Sequence, residues 1–149
     1  MEFNLSTDLP TTPEAVWPVL VDVRRIAACI PGCEQVEEIA LLSHYKAVMK
    51  QKLGPFRLEG PAEIFVDEVS PPQRVRAHAT GRDRFTGTTF TVNLTVDLVA
   101  ADGGRSTLIV DAGLSVAGRL ASLGHSVIRK RAEENFAEFN QRLKAEIVT

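Results

Sequence analysis

The spacing of apolar and polar residues changes character along the chain. Residues 2 to 9 alternate, with Phe3, Leu5 and Thr7 on one side, as a short strand does. Thr11-Thr12-Pro13-Glu14 then supplies a helix start: a capping hydroxyl, a proline in the first turn where no amide hydrogen is needed, and a carboxylate near the positive end of the dipole. The helix that follows carries Val16, Trp17, Leu20 and Val21, and Pro18 keeps it short or bent. "VRRIAACI" reads as a second short helix, ended by Pro31-Gly32.

From residue 35 to about 116 the period is two, with turn signals at Gly54-Pro55, Pro71-Pro72, Phe85 to Gly87 and Asp102-Gly103-Gly104. This predicts an antiparallel meander with one buried and one wet face. The buried face takes Tyr45, Ala47, Met49, Gln51 and Leu53, then Phe56, Leu58, Gly60, Ala62, Ile64 and Val66, then Val75, Ala77, Ala79, Gly81 and Asp83. Later strands add Thr88, Phe90, Val92, Leu94, Val96 and Leu98, and then Leu108, Val110, Ala112 and Leu114. Opposite stand mostly charged and polar side chains such as Lys46, Lys50, Glu63, Arg76 and Asn93. After Gly118 the period becomes 3.6 to the end of the chain, with Leu120, Leu123, Val127, Ala132, Phe136, Phe139 and Leu143 in one apolar stripe. The expected architecture is α+β: a strand, two short helices, about six more antiparallel strands, and one long helix lying across the concave face of a curved sheet.

With 149 residues and neither linker nor internal repeat, residues 1–149 are read as one domain. A net charge of −2 gives no field for nucleic acid, and Arg129-Lys130-Arg131 is followed at once by Glu133-Glu134. No stretch approaches the roughly 18 continuous apolar residues of a membrane span, and "MEFNLSTDLP" lacks the regions of a signal peptide, so a cytoplasmic location is expected. The two cysteines, Cys29 and Cys33, are three residues apart with no further cluster to complete a zinc shell. They stand at a helix C-terminus, where the dipole disfavours a thiolate, so buried structural thiols are expected and no metal.

The inward positions of the middle strands carry small side chains: Ala47, Gly60, Ala62, Ala77, Ala79, Gly81 and Ala112. Such residues either let a helix approach closely or leave space unfilled. Their spread over several strands favours a cavity, rimmed by apolar groups with sparse polar anchors at Tyr45, Gln51, Asp83 and Thr88. No nucleophile is paired with a base, and no hydrolase elbow, zincin helix or phosphate loop occurs. No catalytic residue is assigned. Asp83 is either a general acid with a raised pKa or a hydrogen-bonded strand-end aspartate. His44 and His78 fall on the wet face, and His125 stands early in the long helix, where it could line the cavity mouth.

"CIPGCEQVE", preceded by "VWPVLVD" and followed by "YKAVMKQKLGPFRLEG", "TGRDRFTGTTF" and "GRLASLGHSVI", resembles the carbon monoxide dehydrogenase CoxG family of the START-like (SRPBCC) helix-grip superfamily. The resemblance covers essentially the whole chain and implies a helix-grip cavity for a hydrophobic ligand. Together with the inward register it places Cys29, Ile30, Pro31, Tyr45, Ala47, Met49, Phe56, Ala62, Ile64, Ala77, Ala79, Gly81, Phe90, Val92, Leu120, Leu123 and Val127 around that cavity. It also implies an accessory role beside a molybdenum hydroxylase, with a bound quinone as ligand, no covalent cofactor, and recruitment of the enzyme to the membrane. Many members continue past the long helix into a linker and an apolar tail, whereas this chain stops at Thr149, so peripheral membrane association is expected of a longer form. The other readings of the same cavity are an enzyme of this fold, a cyclase, dehydratase or lyase using Asp83, Tyr45 or His125, and an adaptor with a packed interior.

Overall fold

A computed structural model describes residues 1–148; Thr149, at the end of the predicted helix, lies outside the described residues. The chain runs β1 (Glu2–Leu9), α1 (Pro13–Leu20), α2 (Val23–Cys29), β2 (Cys33–Ala40), β3 (His44–Leu53), β4 (Phe56–Ser70), β5 (Arg74–Arg82), β6 (Thr89–Ala101), β7 (Arg105–Ala117), a 3-10 turn (Arg119–Leu123) and α3 (His125–Val148). The seven strands form one antiparallel sheet in the order β1-β7-β6-β5-β4-β3-β2. This is the α+β helix-grip arrangement expected from the sequence.

Local chemistry sets the ends of the elements. Thr12 caps α1 by accepting from the Ala15 amide at 3.3 Å, with Pro13 in the first turn, and Asp22 caps α2 through the Arg25 amide at 3.3 Å. Pro18 lies inside α1, which stops two residues later. The strand register places the inward residues in rows across the sheet. Tyr45 faces Ile64, Ile64 faces Ala79, and Ala79 faces Val92; Ala47 faces Ala62, which faces Gly81, which faces Phe90.

The C-terminal segment departs from the expectation of one continuous helix. Leu120 and Leu123 belong to the separate 3-10 turn, and α3 starts only at His125. Gly118 and Gly124 flank that turn with φ of 120° and 95°, values that break an α-helix in which the 3.6 spacing of the leucines would otherwise continue.

Buried side chains gather in two clusters at opposite ends of the grip. At the end where α3 finishes, Leu9, Val16, Val19, Leu98, Leu108, Val110 and Leu143 pack together, with Trp17, Leu20 and Phe139 against them. At the end where α3 begins, Leu53, Leu58, Leu120 and Ile128 do so, with Met1, Phe90, Leu114 and Leu123 around them. The inward residues Met49, Ile64, Val66, Ala77, Ala79 and Val92 of the middle strands belong to neither cluster and are only half-buried.

Candidate functional site

That unclaimed middle is the candidate site, and the way α3 is fixed accounts for the partial exposure of its side chains. Between the two clusters the polar contacts of the helix reach β1 and β3. Toward β1, Phe136 packs on Phe3 with ring centroids 5.3 Å apart, Arg129 lies 4.8 Å over the Phe3 ring, and the Thr7 hydroxyl donates to Asn140 Oδ1. Toward β3, Gln51 Oε1 accepts from Arg131 Nε at 3.2 Å and from Asn135 Nδ2 at 3.1 Å. The helix is a strut clasped near the two sides of a seven-stranded sheet. The inward faces of β4, β5 and β6 lie between those clasps and carry small side chains at Ala77, Ala79 and Gly81. These strands have neighbours on both sides, so the partial exposure of large inward residues such as Ile64 and Val92 comes from the concave side.

Gln51 also fixes the Pro-Gly corner. Its Nε2 donates to the Pro31 carbonyl at 2.6 Å, so one side chain ties β3, the corner and α3 together. Gly32 seats the corner on β3: the Lys50 amide donates to its carbonyl at 2.8 Å, and its φ is +80°. A Cβ there would stand 1.9 Å from the Lys50 carbonyl oxygen. Cys33 pairs with Met49 in the strand register, at the edge of the open middle, while Cys29 is 2% exposed. Burial raises both thiol pKa values, first by desolvation and then through Glu146 for Cys29 and Glu34 for Cys33. Both are free thiols, and no metal-binding group of three or more ligands exists among the described residues.

The predicted lining residues divide by burial. Met49, Ile64, Ala77, Ala79, Gly81, Phe90, Val92, Leu123 and Ile30 are half-buried, and all but Ile30 and Leu123 lie on the sheet's concave register. Cys29, Pro31, Tyr45, Ala47, Ala62 and Leu120 are packed shut. Tyr45 is 1% exposed and its hydroxyl accepts from the Leu42 amide at 2.7 Å, which fixes the β2–β3 turn. Phe56 and Val127 are not inside. Phe56 is on the inward register but directly follows the Gly54-Pro55 turn and is 41% exposed, and Val127, in the first turn of α3, is 37% exposed. His125 is also exposed, and His44 and His78 stack on either side of Phe65 on the convex face. A shallow recess of about 340 Å³ lies outside the grip, between Ala28 and Cys29 of α2 and Arg142, Ala145 and Glu146 of α3.

Asp83 is 3% exposed, and its carboxylate is fully engaged. Oδ1 accepts from the Glu59 amide at 2.9 Å; Oδ2 accepts from the Thr86 amide at 2.8 Å and the Thr86 hydroxyl at 2.7 Å. Burial alone pushes its pKa up, but the hydrogen bonds from Thr86, Glu59 and Phe85 together outweigh it and hold the carboxyl below the usual range. This is the opposite of the raised pKa a general acid needs. The Thr86 and Thr88 hydroxyls are 2.8 Å apart, and Thr88 Oγ1 accepts the Leu120 amide at 3.1 Å, so the chain of contacts from Asp83 ends by anchoring the 3-10 turn.

The position of Gln51 on the concave face was readable from alternation, but its partners are 20, 80 and 84 residues away, and no local pattern signals them. The Asp83–Thr86 turn does carry a local signal, an aspartate three residues before a threonine and followed by glycine.

The carbon monoxide dehydrogenase CoxG family matches residues 6–148. Among solved structures, a conserved protein from Geobacillus kaustophilus superposes with a TM-score of 0.88 at 24% identity, covering 99% of this chain and 95% of that one. A START superfamily protein from Mycobacterium smegmatis gives 0.72 at 12% identity over 98% and 96%. The Zhui aromatase/cyclase from Streptomyces sp. R1128 gives 0.70 at 14% over 99% and 93%. No curated protein matches the chain significantly.

Proposed function

The chain belongs to the carbon monoxide dehydrogenase CoxG family, and from that premise we propose that it is a non-catalytic accessory protein holding a hydrophobic ligand, a quinone, in its grip. In this reading it serves a molybdenum-containing carbon monoxide dehydrogenase or related hydroxylase at the inner face of the cell membrane, in membrane recruitment or in passing electrons to quinone. The carrying observation is the half-buried apolar row of Ile64, Ala79 and Val92, left between two closed clusters under a helix clasped at the sides. An apolar recess of this kind removes ligand surface from water at roughly 25 cal/mol per Å², enough to hold a lipophilic ring without a charged partner. Family membership supports the quinone and the hydroxylase partner. The occupied carboxylate of Asp83 supports a binding role over acid catalysis.

Organic extraction of the purified protein followed by mass spectrometry tests this reading. A quinone recovered in near-stoichiometric amount is the expected result. Protein that yields no apolar molecule, and whose Trp17 fluorescence is unchanged by a short-chain ubiquinone, contradicts it.

A further inference from the structure

Three loops converge at the end of the molecule where α3 begins. The β3–β4 turn lies against the first turn of the helix, where a methyl added to Gly54 would stand 3.9 Å from Val127 Cγ1. The β5–β6 loop is tied to the 3-10 turn by the Leu120 amide on Thr88 Oγ1 at 3.1 Å and to β4 by the Arg84 amide on the Glu59 carbonyl at 2.9 Å. Leu53, Leu58, Leu120 and Ile128 already close the core beneath these loops. Even so, Phe85 stands 64% exposed, Phe56 41% and Val127 37%, so these tips are apolar groups the core does not use.

Cations surround them. Lys52, Arg57, Arg82, Arg84, Arg119 and Lys130 are all exposed. The segments 52–58, 82–89 and 117–130 contain one carboxylate, Asp83, and it is buried. Of the carboxylates that border these segments, Glu59 is bridged by Arg84 at 3.8 Å and Lys50 at 3.7 Å, and Glu133 by Arg129 at 3.0 Å. In a chain of net charge −2 this end is strongly positive and the remainder correspondingly negative. The opposite end also exposes apolar side chains, Leu41 at 73% and Val99 at 48%, but there Glu37, Glu38 and Asp102 are neighbours in sequence.

We propose that the end formed by the β3–β4 turn, the β5–β6 loop and the start of α3 is a docking surface for an anionic lipid bilayer. Phe85 and Phe56 bury their apolar rings at the boundary of headgroups and acyl chains, and the ring of cations meets lipid phosphates. Charge complementarity selects the occupant: apolar tips alone fit any apolar partner, whereas tips ringed by cations in excess over carboxylates match a surface that is anionic outside and apolar within. Each basic residue near such a surface strengthens binding roughly fivefold, and less at high salt. The inference rests on the proposed function only for the expectation that a membrane is met; the surface itself is defined by these residues.

Flotation of the full chain with extruded vesicles provides the test. Binding is expected to vesicles containing phosphatidylglycerol, not to phosphatidylcholine alone, and to fall as salt is raised. Phe85→Ser and the double change Arg57→Glu with Arg119→Glu should each lower the bound fraction, the double change by roughly tenfold or more. Arg105→Glu, the same kind of charge change in the β6–β7 hairpin at the far end, should leave binding within about twofold of its parent after allowing for net charge. Circular dichroism establishes that each variant is folded. A parent that ignores anionic vesicles overturns the proposal and leaves the cations to an acidic protein partner, and an Arg105→Glu effect as large as that of the double change overturns the assigned location. Quinone recovery by extraction is read separately, so loss of docking with ligand retained sinks only the docking surface.

Discussion

Gly32 has no room for a side chain, because its φ is +80° and an added Cβ would meet the Lys50 carbonyl at 1.9 Å. Gly32→Ala is therefore expected to cost about 2–4 kcal/mol, seen as a fall of roughly 5–15 °C in the thermal midpoint. A midpoint unchanged within about 2 °C would show that the corner is not fixed as described. Asp83 makes a prediction about pH. Its folded pKa is lowered from an ordinary value of 3.8, so its contribution to stability is full above the unfolded pKa and is lost as pH falls through the folded one. Asp83→Asn should lower the midpoint by a constant amount above about pH 5, and the gap to the parent should shrink on acidification below about pH 4. A gap that grows on acidification would mean the carboxyl titrates upward, as an acid catalyst's does. The sequence left both roles open for Asp83 because alternation places the residue inward but cannot reveal that amides of Glu59 and Thr86 already occupy both its oxygens.

At the scale of elements, α3 is held near its two ends by the apolar clusters and between them by a few specific contacts. Gln51 is the clearest, since it joins the Pro31 carbonyl, Arg131 and Asn135. Replacing Gln51 with Leu keeps the bulk but leaves the Pro31 carbonyl and the Asn135 amide without these partners, a loss of about 1–3 kcal/mol. Hydrogen exchange should show faster opening around residues 30–33 and in the first half of α3, with the β6–β7 pairing unaffected. Uniform loss of protection over the whole chain would argue against a local clasp. The strand faces were legible in the sequence because a period of two is a property of consecutive residues, whereas the cross-strand rows come only from the register. The break before α3 was missed because Leu120, Leu123 and Val127 keep helical spacing across Gly124. The two glycines bracketing "RLASL" were the available sign of a separate turn.

Viewed whole, the molecule is a sheet whose two ends are filled by separate clusters and whose middle is roofed by a strut. The small inward residues were visible in the sequence, but which of them face open space was not, because that depends on where the helix is clasped. Ala47 and Ala62, 5% and 7% exposed, are closed by their neighbours, whereas Ala77 and Ala79 are half-buried in the open middle. If this middle holds an apolar ligand, Ala79→Phe must displace it, since Ala79 lies between Ile64 and Val92 in the row the two clusters leave free. The measurement is quinone binding, followed through Trp17 fluorescence with a short-chain ubiquinone, alongside the thermal midpoint. If the middle is a container, the variant fills it: the midpoint stays within about 2–4 °C of the parent, while affinity falls by roughly tenfold or more. A variant that loses several degrees through overpacking strain of about 1–3 kcal/mol, from a parent that binds no ubiquinone, would contradict the account and leave a protein with a packed interior.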